Sequence, residues 1–233
     1  MKLLLENWRK FINEAGGLDT SWDNVHIDDV FKIIGKSCNE GRKCKSMPAT
    51  ELEQKIKSYG IDEKVIGQLK EGIDSDMYSN RISSMEDLLN YCYKVAGCVG
   101  IMMCDVLNIT DKRAKYHAID LGIAMQITNI CRDIKEDFSM NRIYLPKDKI
   151  TKSEMVRRKN NKLFQTTCEL IALSNRYYES ALEGIKYIPL NTRFSILFAL
   201  FLYQQIGFKI RDNEENFIIK KANTTKIDKF LSL

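Results

Sequence analysis

Apolar residues recur at three- and four-residue intervals along most of this chain, with polar residues between them. This spacing is typical of amphipathic α-helices, whereas strands alternate every second residue, and no sustained alternation occurs. Three prolines and twelve glycines leave long uninterrupted segments, so an all-α fold is predicted. The predicted helices are Leu3–Glu14, Asp28–Cys38, Ala49–Tyr59, Asp62–Glu71, Met85–Leu107, a segment from Thr110 or Asp111 to about Asp137, Ser153–Tyr187 as one or two helices, Thr192–Arg211 and a short helix in the C-terminal tail.

Polar residues and glycine mark several helix boundaries. Gly60 is expected to end the helix before it. Ser84, with Asp87 three positions later, has the spacing of a capping box and predicts the start of a long helix. Asp74 and Asp76 lie in the connection between these two points and are predicted to cap a turn.

The composition is that of one domain spanning residues 1–233. Hydrophobic residues make up 44% and charged residues 29% of the chain, which excludes a disordered protein. The net charge of +5 comes from interspersed basic and acidic residues. This argues against a nucleic-acid partner but permits peripheral contact with an anionic membrane face. The longest apolar run, Phe194–Tyr203, is shorter than the roughly 20 residues of a membrane-spanning helix, so a soluble protein, optionally membrane-associated, is expected. A cytoplasmic location and a monomeric state are also predicted.

The seven cysteines indicate a reducing compartment. Their number is odd, none forms a CxxC pair, and Cys92, Cys98 and Cys104 lie in apolar helical segments. A reduced thiol in such a position behaves as a small hydrophobic side chain. No disulfide framework is therefore predicted.

The candidate chemistry is concentrated in residues 126–146, QITNICRDIKEDFSMNRIYLP. Gln126, Asn129, Asp133 and Asp137 follow one another at helical spacing, so on a continuous helix they form one stripe. The other residues up to Asp137 are largely apolar, which predicts a buried helix whose stripe faces something polar. Two buried carboxylates repel each other unless a cation lies between them. Oxygen ligands suit Mg²⁺, which also keeps waters and substrate phosphates, so the stripe is a candidate metal–diphosphate site.

A second cluster lies in residues 90–103, NYCYKVAGCVGIMM. Gly97 and Gly100 each cost a helix about 1 kcal/mol relative to alanine, and with Ala96 they form a small-residue face. Close packing of another helix is the favoured explanation, and approach of a ligand is the alternative. Tyr91 and Tyr93 precede this face, where a tyrosine taken alone is more often part of the core than of a site.

Together these two segments resemble the squalene/phytoene synthase family, including bacterial dehydrosqualene synthases. The segments YCYKVAGCVG, LGIAMQITNICRDIKED and NRIYLP match the family's usual YCYxVAGxVG, LGxALQLTNILRDVxED and RIYLP. Weaker agreement extends through residues 59–77 and 202–226. The resemblance therefore covers about residues 55–230.

The resemblance implies a class I isoprenoid synthase fold, an all-α bundle around a central cavity. It also implies head-to-head condensation of two prenyl diphosphates, farnesyl or geranylgeranyl, to a C30 or C40 isoprenoid through a cyclopropyl diphosphate. Mg²⁺ is the implied cofactor, with Mn²⁺ as the alternative ion, because divalent ions neutralise a departing diphosphate. NADPH is implied only if squalene is the product.

The family pattern also implies roles for individual residues. Asp133 and Asp137 correspond to its second aspartate-rich motif and, with Asn129, would bind Mg²⁺ bridged to diphosphate. Tyr91 corresponds to its site tyrosine, a third catalytic residue that would donate a hydrogen bond to diphosphate. Substrate contacts are implied for Gln126, Asn129, Arg132, Tyr203 and Lys220.

Two sets of ring-bearing residues receive weaker interpretations. Phe194, Phe198 and Phe201 have a spacing compatible with lining a prenyl cavity, but core packing is favoured for each of them. His26 and His117 are too isolated for a metal site or a catalytic triad. Both are predicted to be surface or capping residues.

One part of the family's site is not visible in the sequence. Family members carry a first aspartate-rich DDxxD motif on an N-terminal helix, facing the second across the cavity. The chain opens with a segment resembling the stretch after that motif, and Asp28-Asp29 lacks the carboxylate four residues after Asp28, where Lys32 stands. An N-terminally truncated bundle with weak or absent turnover is expected. The alternatives left open are a fragment of an active enzyme, a short gene product, and a non-catalytic relative that binds prenyl diphosphate, lipid or a protein partner.

Overall fold

Every regular element in the described part of the chain is a helix, which confirms the predicted all-α fold. The computed structural model describes residues 54, 56–76, 82–155, 161–212 and 214. The helices predicted before residue 54 and in the C-terminal tail lie outside these ranges. The described elements are α1 (Glu63–Ser75), α2 (Met85–Cys92), a π-helical segment (Tyr93–Gly97), α3 (Cys98–Val106), α4 (Lys112–Arg132), α5 (Ile134–Ser139), α6 (Lys152–Met155), α7 (Asn161–Gly184), a 3₁₀ turn (Ile185–Tyr187) and α8 (Leu190–Arg211).

Helix α4 lies at the centre of the bundle. Every residue from Gly122 to Arg132 is buried, as predicted for a helix that is apolar around most of its circumference. It packs along α7 and also contacts α3, α8 and the π-helical segment. Gln126 and Asn129, the stripe residues within this helix, therefore lie inside the protein.

The buried apolar side chains form two clusters. The larger one joins α2, α4, α7 and α8, and Leu88 and Ile127 are completely buried in it. The smaller one joins α1 to α3 through residues such as Val65, Leu69 and Met102. The continuous rod of α2, the π-helical segment and α3 contributes to both clusters.

The helix boundaries confirm the predicted caps. The Ser84 hydroxyl accepts a hydrogen bond from the Asp87 N–H at 3.2 Å, and the Asp87 carboxylate accepts one from the Ser84 N–H at 3.2 Å. Asp111 begins α4 by accepting the Arg113 N–H at 2.9 Å. Gly60 has φ of +66°, the left-handed conformation in which glycine commonly ends a helix.

The long helix predicted over Met85–Leu107 contains a π-helical turn, which the residue pattern did not indicate. There the Cys98 N–H donates to the carbonyl of Tyr93, five residues earlier. Such turns insert one residue into an α-helix and are frequent at functional sites. Tyr91 lies in the last turn of α2, directly before it.

The prediction that one helix continues to about Asp137 was wrong. Helix α4 ends at Arg132, and Asp133 leaves helical geometry with φ −104° and ψ 13° before α5 begins. Neighbouring side chains on a regular helix do not face each other. The ion pair between Arg132 and Asp133 spans this departure from regular helix geometry.

The small-residue face is confirmed as a site of close helix packing. A Cβ atom added to Gly100 would overlap the Ala118 carbonyl oxygen and lie 2.6 Å from its carbon. A Cβ added to Gly122 would overlap the Ala96 carbonyl oxygen and lie 2.6 Å from its carbon. These two reciprocal contacts bring the backbone of α4 directly against the backbone of the π-helical segment and α3.

The described cysteines agree with the predicted absence of disulfides. All five of them are free thiols, and four are buried. Cys38 and Cys44 lie outside the described residues. Among the described helices, none combines the length and apolarity that crossing a membrane requires.

Two interpretations of ring-bearing residues are corrected. Phe194 is 49% exposed and so is not a core residue, whereas Phe198 and Phe201 are half-buried against the larger cluster. His117 is half-buried and stacks on Tyr187, with its Nδ1 3.2 Å from the Ser180 hydroxyl. His117 therefore joins α4 to α7 and is not a surface histidine.

Candidate functional site

A buried ion pair lies where α4 ends. The Arg132 guanidinium donates to both oxygens of the Asp133 carboxylate, with Nε–Oδ1 at 2.9 Å and Nη2–Oδ2 at 2.6 Å. Each side chain is only 4% exposed. Burial opposes the charged guanidinium, but the hydrogen bonds and charge of Asp133, with a smaller effect of Tyr203, raise the pKa of Arg132 above its usual value. Arg132 therefore keeps its positive charge inside the bundle.

The second carboxylate of the motif, Asp137, lies one turn further on in α5. Its N–H donates to the carbonyl of Asp133 at 2.9 Å, so the two residues keep helical spacing across the break. Burial raises the pKa of Asp137 from its usual 3.8 to about 7, and the charges of Asp133 and Asp76 add to this while Arg142 opposes it. Such a carboxyl group gains from a nearby cation when it ionises.

Asn129 completes the group from the α4 side. Its side chain is buried, and neither its Oδ1 nor its Nδ2 has a hydrogen-bond partner among the described residues. A buried amide without hydrogen-bond partners costs about 1–3 kcal/mol of stability. A ligand that pairs with the Asn129 amide would remove this cost. Gln126, one turn earlier, is also buried.

These donors fit a hard divalent ion. Within the described ranges no group of three or more His, Cys, Asp or Glu side chains is placed to hold a metal by itself. The available donors are two carboxylates and one amide oxygen. Mg²⁺ commonly binds through one or two carboxylates and takes its other ligands from water and substrate phosphate, which matches this set.

Tyr91 is engaged differently from the role implied by the family pattern. Its hydroxyl donates to the Asp76 carboxylate, 2.9 Å from Oδ1 and 3.2 Å from Oδ2. The Tyr144 hydroxyl donates to the same Oδ1 at 3.0 Å. Burial first, and then the charge of Asp76, raise the pKa of Tyr91 well above its usual value. A phenol has one proton to donate, so Tyr91 could donate to a diphosphate only after leaving Asp76.

Tyr203 lies deeper, on α8 and next to Arg132. It is 4% exposed and contributes to the raised pKa of Arg132. On the facing helix α7, the fully buried Tyr178 hydroxyl lies 3.0 Å from the Thr128 hydroxyl of α4. A polar layer therefore crosses the core between α4, α7 and α8.

Two members of this region, Asp76 and Tyr144, were not predicted from the sequence. Asp76 does end α1, where its N–H donates to the carbonyls of Ile73 and Asp74, but its carboxylate also binds two tyrosines. Tyr144 belongs to the segment NRIYLP, to which no role was given. Their pairing joins residues 68 positions apart, which helical periodicity does not reveal.

Other residues considered from the sequence cannot be placed. Lys220, implied as a substrate contact, lies outside the described residues. The same holds for His26, for Lys32 and for the pair Asp28-Asp29.

Comparison with known proteins identifies the family. The chain matches the squalene/phytoene synthase family over residues 2–229. It belongs to this family. The all-α fold of this family member agrees with its membership.

Curated relatives of this family member are named phytoene synthases. The 15-cis-phytoene synthase of Enterobacter agglomerans is 36% identical over 145 residues, which cover 60% of this chain and 49% of the relative. The phytoene synthase of Pseudescherichia vulneris is 30% identical over 200 residues, covering 83% of this chain and 65% of the relative. The chain thus spans about half to two thirds of the length of these proteins.

Solved structures confirm the fold. A dehydrosqualene synthase in complex with a ligand aligns with a TM-score of 0.71 at 23% identity, covering 98% of this chain and 83% of that one. A squalene synthase from Alicyclobacillus acidocaldarius aligns with a TM-score of 0.71 at 15% identity, covering 90% and 94%. The helical bundle is therefore that of the squalene and dehydrosqualene synthases.

The raised pKa of Asp137 predicts a pH-dependent stability. Because the folded protein holds this proton up to about pH 7 while the unfolded chain loses it near 3.8, the folded state binds more protons between these values. The contribution of Asp137 to the free energy of unfolding should therefore fall as pH rises from about 4 to 7. Above pH 7 this contribution should stay constant. Urea unfolding of the metal-free protein and of Asp137→Asn at pH 5, 6, 7 and 8 isolates the effect. As pH rises, the variant should become more stable relative to the wild type. A difference in stability that stays constant with pH would contradict the prediction.

Proposed function

We propose that this family member binds prenyl diphosphates at the Asp133–Asp137 end of α4 and joins two of them head to head. The substrate class is farnesyl or geranylgeranyl diphosphate. The product is a C30 or C40 isoprenoid formed through a cyclopropyl diphosphate. Family membership and the names of the relatives support this reaction class.

The observation that carries the proposal is the unsatisfied amide of Asn129 beside the buried pair of Arg132 and Asp133. A core that has only a structural role rarely leaves both polar atoms of a buried amide unpaired. Here an amide, a guanidinium and two carboxylates lie within residues 129–137, across the junction of α4 and α5. Their combined chemistry matches a diphosphate with a divalent ion.

Each residue has a defined contribution in this proposal. Mg²⁺, or Mn²⁺ in its place, neutralises the charge that develops on a departing diphosphate. Asp133, Asp137 and Asn129 would hold the ion, and Arg132 would contact the diphosphate oxygens. The apolar surface of the larger cluster would exclude water from the prenyl chain. NADPH is needed only if the product is squalene.

Binding and turnover are tested separately. Farnesyl and geranylgeranyl thiodiphosphate are titrated calorimetrically with and without Mg²⁺. They are used because their thiodiphosphate group is a slow leaving group. The natural diphosphates are then incubated with Mg²⁺, with and without NADPH, and products are identified by mass spectrometry. Mg²⁺-dependent binding with a C30 or C40 product supports the reaction. Binding without product supports a non-catalytic relative, and absence of Mg²⁺-dependent binding overturns the site.

Asp137→Asn should weaken Mg²⁺-dependent thiodiphosphate binding by more than about tenfold, since loss of one close charge pair costs at least about 1.4 kcal/mol. Isothermal titration measures the effect. Asp148→Asn is the matched control, because Asp148 is exposed on the loop after Pro146 and should bind like the wild type. Equal affinities of Asp137→Asn and wild type would remove Asp137 from the metal site.

A further inference from the structure

One carboxylate connects three segments of the chain. Asp76 at the end of α1 accepts hydrogen bonds from Tyr91 of α2 and from Tyr144 in the segment after α5, at 2.9 and 3.0 Å. The two tyrosine rings also stack on each other, with centroids 5.1 Å apart and planes at 23°. Hydrogen bonds to a charged acceptor are about twice as strong as neutral ones. Asp76 therefore fixes both hydroxyls, and the ring stack fixes both ring planes.

The backbone around Asp76 is itself held in place. Gly72, one turn earlier in α1, packs against the π-helical segment so closely that a Cβ would lie 2.8 Å from the Lys94 Cβ and 2.9 Å from the Val95 Cγ1. The Lys94 ammonium also forms an ion pair with Glu71 of α1 at 2.9 Å. The end of α1 is therefore anchored on the element that directly follows Tyr91.

The segment that carries Tyr144 is anchored independently. The Lys147 N–H donates to the Ile82 carbonyl at 3.1 Å, and the Asp148 N–H donates to the Ser83 carbonyl at 3.3 Å. This segment is thereby fixed to the start of α2. Asp76 completes a closed ring of contacts among α1, α2 and the segment after α5.

This cluster borders the candidate diphosphate site. The Arg142 N–H, two residues before Tyr144, donates to the Asp137 carbonyl at 2.8 Å, and the charge of Asp76 acts on Asp137. The Asp76 carboxylate accepts hydrogen bonds from two tyrosine hydroxyls. These contacts make it a support for the residues at this edge of the site.

We propose that Asp76 is a positioning residue, which holds Tyr91 and Tyr144 as a rigid stacked pair at the edge of the diphosphate site. The inference rests on the proposed function and adds to it two residues, Asp76 and Tyr144. Residues that orient a site in this way typically change metal affinity or activity 10- to 100-fold when removed.

The test compares Asp76→Ala with Asp76→Asn, which keeps one acceptor oxygen, and with Asp74→Asn as the control from the same helix end. Tyrosine ring carbons labelled at Cζ are followed by NMR, which reports the hydrogen bond of each hydroxyl. Calorimetric titration with farnesyl thiodiphosphate and Mg²⁺ reports the site, and thermal unfolding confirms that each variant is folded.

Asp76→Ala should shift two Cζ signals and weaken thiodiphosphate binding by roughly tenfold. Asp76→Asn should recover part of both effects, and Asp74→Asn should show neither. Tyr144→Phe, which keeps the ring but loses one hydroxyl, tests the same point if Asp76→Ala does not fold; it should shift the Tyr91 signal and weaken binding. If folded Asp76 and Tyr144 variants bind as tightly as the wild type, or if their Cζ signals do not shift, the positioning role alone is overturned. A wild type that binds no thiodiphosphate would overturn the proposed function as well.

Discussion

Asp133→Ala should lower the free energy of unfolding of the metal-free protein by about 3–5 kcal/mol. The variant leaves the Arg132 guanidinium inside the bundle without the carboxylate that accepts its two hydrogen bonds. An uncompensated buried charge is among the largest destabilising effects of a single substitution. The expected loss is therefore a property of the fold, and it precedes any effect on a ligand.

Urea denaturation of the wild type and the variant in the presence of a chelator measures this loss. The double variant Arg132→Met, Asp133→Leu is the control, because replacing both partners of a buried pair by apolar residues is often neutral or stabilising. Its stability should lie near that of the wild type. A single variant that loses less than about 1 kcal/mol would show that water reaches the guanidinium. Because Asp133→Ala is expected to destabilise the fold, a loss of binding in this variant would not report on the metal site alone. Asp137→Asn is the better probe of that site.

Gly100→Ala and Gly122→Ala should each destabilise the protein by about 1–3 kcal/mol. In an exposed helix the same substitution would add roughly 1 kcal/mol of stability. The sign is reversed here because the added methyl groups meet the carbonyl groups of Ala118 and Ala96. Backbone atoms cannot move aside as a flexible side chain can, so the two helices would have to separate.

Gly67→Ala is the matched control for these variants. Gly67 lies in α1, is exposed, and has no heavy atom within 4 Å of an added Cβ. It should gain up to about 1 kcal/mol in the same urea titrations. Equal changes in the free energy of unfolding for all three variants would show that helix propensity, and not helix contact, determines their stability.

Most of the helical framework could be predicted from local sequence. The capping box at Ser84, the cap at Asp111 and the helix end at Gly60 depend on residues within a few positions of each other. The buried character of α4 follows from the apolar residues around Asn129. Such features are encoded locally, and the structure confirms them.

The remaining features depend on contacts distant in sequence or on single-residue shifts. The hydrogen bonds from Tyr91 and Tyr144 to Asp76 arise only when three segments come together. The helix break at Asp133 leaves its spacing to Asp137 nearly unchanged, so the pattern of polar residues reads as one helix. Likewise, a π-helical turn alters periodicity by one residue, which five positions of mixed sequence do not reveal.

The π-helical turn explains how one continuous helical rod packs into both hydrophobic clusters. Each residue of an α-helix advances the side-chain direction by about 100°, so the one extra residue within Tyr93–Gly97 rotates everything after it by that angle. Upstream, Leu88 and Cys92 point into the larger cluster; downstream, Ile101 and Val106 point into the smaller one. The insertion thus acts as a phase shift between two hydrophobic faces, and it lets an unbroken hydrogen-bonded element change partners without a loop.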